Sequence, residues 1–143
     1  MMQTDKLLFL DFDGVLHSVK AGKHELFRKA PLLNNLLIEH PCQVVISSSW
    51  RLHFRLDELR HRLQPPLANL IVGQTGSREE RRWSRFTEIT KYINVNKPQA
   101  NWRALDDALN DFPVNCPELV YCDPHEGITE KEIIVLSNWL SCY

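Results

Sequence analysis

The chain has 143 residues, and its 17 basic side chains nearly balance its 18 acidic ones, which leaves a formal net charge of -1. This length, with 43% hydrophobic residues, fits one globular domain that buries its own core. The near-neutral charge argues against a nucleic-acid binder driven by global electrostatics, although it is compatible with a local basic patch, and no apolar run reaches the ~20 residues that span a bilayer.

Strand and helix patterns alternate along the chain. A continuous apolar run at residues 7–10 is typical of a strand that is buried on both faces. Pro31 then opens a helix with leucines on one face, which runs to about residue 40 and ends before Pro41. The later elements are a strand at 44–46, a helix through the leucines of 52–63, a strand at 70–72, a helix from Ser84 to about 93, strands at 102–105 and 119–122, and a last helix from Thr129 to about 140.

This alternation predicts βαβ units with right-handed crossovers and a parallel sheet. We therefore expect the α/β class, with a single Rossmann-like domain over residues 1–143 and three α/β/α layers around a mostly parallel five-stranded sheet. Residues 14–30 show no clear periodicity and contain Gly22 among several lysines. We interpret this segment as a flap or hairpin beside the mouth of the first strand.

Acidic and hydroxyl side chains follow three of the predicted strands. Asp11 and Asp13 follow the first strand, serines 47–49 follow the second, and Asp106 and Asp107 follow the fourth. Ligands of open parallel sheets bind outside the carboxyl ends of the strands. We therefore expect these side chains to form one site.

The carboxylates of this group need a partner of opposite charge. Asp11 lies so deep in an apolar strand that its burial is costly without an ion pair or a metal, and Asp13 would project to the same side if the strand continued. Asp106 and Asp107 repel each other at a buried strand end, although by themselves they could be the N-terminal anions of a helix. Two acidic strand ends in one sheet favour a divalent cation, and oxygen ligands suit Mg²⁺.

The serines after the second strand provide a second kind of site. Ser47, Ser48 and Ser49 place hydroxyl and backbone N–H groups at the start of a helix, where an anion binds well, and they can equally serve as N-caps. Arg51 lies directly behind this turn. It either reaches a phosphate or faces solvent.

The cysteines and the N-terminus indicate the compartment. None of the four cysteines forms a Cys-x-x-Cys pair, so we interpret them as small buried side chains in a reducing compartment. The N-terminal apolar run is interrupted by carboxylates and is unlike a secretory signal, which predicts a cytoplasmic protein. The six histidines share no spacing. His17, just beyond the first motif, could touch a leaving group, but we interpret it as an exposed loop residue.

The motifs at the strand ends resemble those of the haloacid dehalogenase (HAD) superfamily of phosphotransferases. The first motif is specific, and the resemblance runs in order along the chain from about residue 7 to residue 107. The matching runs are residues 8–16 (LFLDFDGVL) for the first motif, 44–47 (VVIS) for the second and 104–107 (ALDD) for the fourth.

The third motif of the superfamily is a lysine or arginine near the start of the helix before the fourth motif. Arg85 is the best-placed candidate, and Lys91 and Lys97 are its rivals. Arg78 and its neighbouring arginines are interleaved with glutamates, so they form either a solvated face or a groove for a polyanionic substrate.

The resemblance implies a Mg²⁺-dependent phosphatase mechanism. Asp11 would be the nucleophile that forms an aspartyl-phosphate, and Asp13 would be the general acid and then the general base. The carboxylates of Asp106 and Asp107, together with Asp11 and the backbone carbonyl of Asp13, would hold Mg²⁺. The phosphate oxygens would be bound by Ser47, Ser48, Arg85 and Arg51.

The intervals between the motifs leave no room for a large cap domain, so the chain resembles a capless member with an open site. Such a site would accept a bulky phosphate on a nucleic-acid end or a phosphoprotein. The run at residues 46–51 (ISSSWR), with Arg85 ahead of Glu88, is most similar to the small HAD domains associated with RNA repair.

Two other functions compete with this one. The first is a non-catalytic HAD-like module that binds a phosphorylated partner, but such a module could dispense with Asp13, which this chain retains. The second is a signalling receiver domain. Receivers carry their accepting aspartate at the third strand, where this chain has Gly73 and no carboxylate.

Overall fold

In the computed structural model, which describes residues 3–142, five strands form one sheet in the order β3-β2-β1-β4-β5. Every neighbouring pair is parallel. The chain starts in the central strand, builds outward to β3, and then returns to the other side of β1. The direction in which strands are added therefore reverses between β1 and β4, and ligands of open parallel sheets bind at such a switch point, at the carboxyl edge. The strands are β1 (Gln3–Leu10), β2 (Cys42–Ile46), β3 (Ile71–Gln74), β4 (Asn101–Asp106) and β5 (Leu119–Tyr121).

Five α-helices cover the two faces of the sheet. Alternate residues of β1 face opposite sides: Leu8 and Leu10 pack with α1, α2, α3 and α5, whereas Leu7 and Phe9 pack with α4. The α/β class and the three layers around a parallel sheet are thereby confirmed. The helices are α1 (Ala30–Glu39), α2 (Leu56–His61), α3 (Leu67–Leu70), α4 (Ser84–Asn96) and α5 (Glu130–Ser141).

Several elements differ from the predicted ones. The helix predicted over residues 52–63 is divided into a 3-10 turn at Ser49–Leu52 and α2, because Arg55 is extended and Glu58 accepts its N–H to begin a new helix. The first strand starts at Gln3 rather than at residue 7. Its added part contains Lys6, which is buried because its ammonium group donates to backbone carbonyls at the end of α5.

The last helix begins as predicted. Thr129 is its N-cap, and Glu132 accepts hydrogen bonds from the backbone N–H and the hydroxyl of Thr129 at 2.7 and 2.8 Å. This capping box satisfies groups that the first helical turn would otherwise leave without partners.

Residues 14–30 form irregular structure with a single 3-10 turn at Lys23–Glu25. The segment is tied to the loop after β5: the Val19 N–H donates to the Pro124 carbonyl, and the Ile128 N–H donates to the Val15 carbonyl. Within residues 3–142, no separate cap interrupts the domain. None of the described helices has the length and apolar character needed to cross a bilayer.

Candidate active site

Polar residues line the carboxyl edge of the sheet because the parallel strands end in register. Leu10 pairs with Ile46 on one side and with Leu105 on the other. The residues that follow these three are Asp11, Ser47 and Asp106. Their side chains therefore continue the face covered by α4, at the carboxyl ends of β1 and its two neighbours.

Three carboxylates converge at this point. Asp11, Asp106 and Asp107 each offer an oxygen, and these oxygens lie within 4.8 Å of one another. Asp11 is 5% exposed and Asp106 is fully buried. Asp106 ends β4 and accepts the N–H of Ala108 at 2.9 Å, and Ala108 is the N-cap of a short 3-10 turn at Leu109–Asp111. The pair of aspartates therefore joins a strand end to a 3-10 turn and does not begin an α-helix. These carboxylates could hold a hard divalent cation such as Mg²⁺.

Gly14 makes room for the third carboxylate. Its φ is +78°, and a Cβ atom at this position would lie 2.1 Å from Oδ2 of Asp107. A residue with a side chain would be strained in this conformation and would also collide with the carboxylate. The glycine of the first motif thus lets the fourth motif approach the end of β1.

Arg85 is the cation of the site. It lies in the first turn of α4, with its Nη1 at 2.8 Å from Asp106 Oδ2 and 3.5 Å from Asp11 Oδ1. Burial alone would lower the pKa of Arg85, but attraction by Asp106 and Asp11 outweighs that effect and raises it. Of the rival cations, Lys91 pairs with Glu79, and Lys97 donates to Gln43 near the start of β2, at the other end of the sheet.

The single positive charge of Arg85 cannot neutralise the three carboxylates of the cluster. Burial, followed by repulsion from Asp106, raises the pKa of Asp11 well above its ordinary value. Burial also raises the pKa of Asp106, although Arg85 and the Ala108 N–H oppose that shift. Without a further cation these two carboxyl groups therefore bind protons more tightly than free aspartates do. A divalent ion among these oxygens would favour their ionised forms, and the donor set fits such an ion.

The two serines of the second motif have different partners. Ser47 is fully buried, and its Oγ has no hydrogen-bond partner among the described residues. The Ser48 hydroxyl accepts the Trp50 N–H at 3.2 Å and caps the 3-10 turn. Ser47 thus has a hydroxyl free for a ligand. Thr75, which follows β3, has a second buried hydroxyl without a partner, and sequence reasoning missed it.

Arg51 is directed at the protein rather than at solvent. Its guanidinium Nε donates to the Gly76 carbonyl, and its Nη1 donates to the carbonyls of Ser47 and Ser48, at 2.9 to 3.1 Å. Its Nη2 lies 3.0 Å from Oε1 of Glu88, and its side chain is 2% exposed. These contacts fasten the second-motif turn to the loop after β3.

Asp13 stands apart from the cluster of three carboxylates. Because β1 ends at Leu10, the strand pleat does not extend to Asp13, and its side chain is 52% exposed. His17 Nε2 lies 2.7 Å from Oδ1 of Asp13, and Trp50 Nε1 donates to Oδ2 at 3.0 Å. The interpretation of His17 as an exposed loop residue is wrong, because only 2% of it is exposed.

Glu88 is a further residue that the sequence did not single out as functional. It is 5% exposed and lies one helical turn after Arg85, whose Nε is 3.6 Å from its Oε1. Its Oε2 accepts the N–H of Glu79 at 3.0 Å. A glutamate three residues after the cation, on the same helical face, is the signal that could have identified it.

Comparison with known proteins identifies a family that covers the motifs described above. A family of sequences described as the HAD domain in Swiss Army Knife RNA repair proteins matches residues 7–133. No curated protein and no solved structure matches the chain. The matched range contains the first-motif aspartates, the second-motif serines, Arg85 and the acidic pair of the fourth motif. The chain belongs to this family of small HAD domains.

Proposed function

We propose that this protein is a Mg²⁺-dependent phosphomonoester hydrolase that acts through an aspartyl-phosphate. The observation that carries the proposal is the meeting of Asp11 with Asp106, Asp107 and Arg85 at the switch point of the sheet. A carboxylate nucleophile repels a phosphate dianion, so its attack needs both a metal and a fixed cation nearby.

Each residue has a separate task in the proposed reaction. A carboxylate oxygen of Asp11 attacks phosphorus in line, and the bond to the leaving oxygen breaks. Asp13 gives its proton to that oxygen and later takes one from the water that hydrolyses the aspartyl-phosphate. When bound by Asp11, Asp106, Asp107 and the backbone carbonyl of Asp13, Mg²⁺ supplies positive charge beside the phosphate.

The phosphate oxygens would be held from the other side of the switch point. The Ser47 hydroxyl has no protein partner among the described residues, and Arg85 can reach the switch point while it pairs with Asp106. The Ser48 hydroxyl is already engaged with Trp50, so Ser48 would contribute its backbone N–H. Arg51 would support this turn through the carbonyls of Ser47 and Ser48 instead of touching phosphate.

The substrate we propose is a phosphorylated nucleic-acid end. Half of the Asp13 side chain is exposed, and the described domain has no cap that would restrict a bulky leaving group. Membership of a family found in RNA repair proteins favours a nucleic-acid end over a phosphoprotein.

Purified protein should be assayed with 5′- and 3′-phosphorylated oligonucleotides, a phosphopeptide and p-nitrophenyl phosphate, each with Mg²⁺ and with EDTA. We expect release of phosphate only with Mg²⁺, most rapidly from one of the oligonucleotides. Asp11→Asn should abolish turnover, and Asp57→Asn, at an exposed aspartate, should leave it unchanged. Turnover in EDTA, or an active Asp11→Asn protein, would refute the mechanism, and tight binding without turnover would favour a binding module.

A further inference from the structure

Asp13 has an unusual setting for an exposed carboxylate, because two side chains from separate segments donate to its two oxygens. His17 comes from the segment after the first motif, and Trp50 comes from the turn after the second. An exposed carboxylate on a loop ordinarily samples several rotamers. Here the rotation of both its torsions is opposed by two independent hydrogen bonds.

The proton on His17 can be assigned from its partners. The Phe27 N–H donates to Nδ1 at 3.1 Å, so Nδ1 carries a lone pair and the neutral ring holds its hydrogen on Nε2. That hydrogen points to Oδ1 of Asp13 at 2.7 Å. The backbone of residues 14–30 therefore selects the tautomer that donates to Asp13.

The two donors are themselves held in place by packing. The His17 ring packs edge-on against Phe27, with centroids 5.3 Å apart, and tilts against Trp50 at 6.1 Å. The Trp50 ring also packs against Phe12 and Phe54 at 5.6 and 5.5 Å. These aromatic contacts restrict both rings. Both carboxylate oxygens are thus held by fixed donors, while 52% of the Asp13 side chain stays exposed.

We infer that His17 and Trp50 are positioning residues for the Asp13 carboxyl group, and that residues 14–30 serve to hold this group where the leaving oxygen of the substrate must be. The inference rests on the proposed function, since it assigns acid and base work to Asp13. Neither donor gains or loses a proton in the reaction. Asp13 loses one to the leaving oxygen and regains one from water, and its two N–H partners keep it aimed throughout.

The dependence of rate on the leaving group separates positioning from a general loss of structure. Dinitrophenolate leaves as an anion without help from an acid. The phenyl group of phenyl phosphate leaves much faster when an acid protonates its oxygen, so that phenol departs. The ratio kcat/KM reports the steps up to formation of the aspartyl-phosphate, so it isolates the step in which Asp13 acts as acid. Phenyl phosphate and 2,4-dinitrophenyl phosphate are therefore the two probes.

The variants His17→Phe and Trp50→Phe remove the donors and retain an aromatic ring. We expect kcat/KM for phenyl phosphate to fall about 10- to 100-fold in His17→Phe and about 10-fold in Trp50→Phe, within the range that general acid catalysis supplies. For dinitrophenyl phosphate the fall should stay below about threefold. His17→Gln, whose amide can donate and accept, should recover most of the loss. His24→Gln, at an exposed histidine of the same segment, is the matched control.

Equal losses with both substrates would overturn the inference and leave only a structural role. Unchanged values in both variants would also overturn it. If His17→Phe fails to fold, Trp50→Phe and His17→Gln decide the question, again by comparing the losses of kcat/KM for the two substrates. A wild-type protein without Asp11-dependent turnover would instead defeat the proposed function, and the inference would fall with it.

Discussion

Arg51 and Glu88 form an ion pair in which both side chains are almost completely buried, 2% and 4% exposed, with Nη2 3.0 Å from Oε1. The pair joins the second-motif turn to α4, the helix that carries Arg85. Burial lowers the pKa of Arg51, against the opposing attraction of Glu88. Glu88 therefore supports the charge of an arginine that has no solvent to stabilise it.

Glu88→Gln should destabilise the fold, because it leaves the buried charge of Arg51 without its partner. We expect the free energy of unfolding to fall by about 3 kcal/mol, measured by urea denaturation. Glu80→Gln, at an exposed glutamate, should change it by less than about 0.5 kcal/mol. Equal stability of the Glu88→Gln and wild-type proteins would show that the ion pair contributes nothing net.

Arg85→Lys should reduce catalysis although it keeps the positive charge. Lysine cannot pair with Asp106 and present a second nitrogen to phosphate at the same time. We expect kcat/KM to fall about 10- to 100-fold for Arg85→Lys and about 10²- to 10³-fold for Arg85→Met. Lys91→Met is the comparison, because Lys91 pairs with Glu79 instead. A larger effect of Lys91→Met would assign the third motif to that residue.

Ionisation of Asp11 should lower the stability of the metal-free protein as the pH rises. The folded-state pKa of Asp11 is raised above its ordinary value of 3.8, mainly by burial and then by Asp106. The folded form therefore binds this proton more tightly than the unfolded chain, and the resulting stability is present below that ordinary value and is lost as the pH rises through the raised one.

Thermal unfolding in EDTA from pH 4 to 8 tests this direction. We expect Tm to decrease toward pH 8 in the wild type, Asp11→Asn to flatten that decrease, and Mg²⁺ to restore Tm at the upper end. The Asp57→Asn protein should keep the wild-type slope, since Asp57 is exposed. The same dependence of Tm on pH in the wild-type and Asp11→Asn proteins in EDTA would contradict a raised pKa of Asp11.

Gly14→Ala should damage the proposed metal site as well as the fold. The added Cβ would collide with Asp107, and alanine is strained at a φ of +78°. We expect a loss of about 2 kcal/mol in the free energy of unfolding and weaker Mg²⁺ binding by isothermal titration calorimetry. Gly76→Ala is the matched control, because a Cβ there meets no atom within 4 Å. Similar effects of the two substitutions would argue against the close approach of Asp107.

The parts of the site that could be predicted are those fixed by strand register. Apolar runs marked the cores of β1 and β2, residues 102–105 were predicted as a short strand, and residues that follow parallel strands necessarily share an edge. The meeting of Asp11 with Asp106 is therefore readable from the sequence. The start of β1 could not be read from the sequence. Lys6 interrupts the apolar pattern there, and this buried lysine donates to carbonyls of α5, far along the chain.

Contacts made by loops could not be predicted in the same way. Whether Arg51 meets phosphate, solvent or protein depends on the path of the chain near Gly76, which no periodicity encodes. His17 is buried because the chain turns back to place Phe27 beside it, with a φ of 61° that local sequence does not indicate. Roles set by local motifs are visible in a sequence, but roles set by irregular backbone need coordinates.

The anchoring of residues 14–30 bears on how the protein meets its substrate. These residues form hydrogen bonds to the loop after β5, and Phe27 contacts His17. All of these contacts form between parts of the chain and involve no ligand. The loss of conformational freedom that aligns Asp13, the proposed acid group, thus occurs when the polypeptide folds. Binding of the proposed substrate then needs no rearrangement of residues 14–30, and its binding energy can act on the reacting bond instead of on ordering these residues.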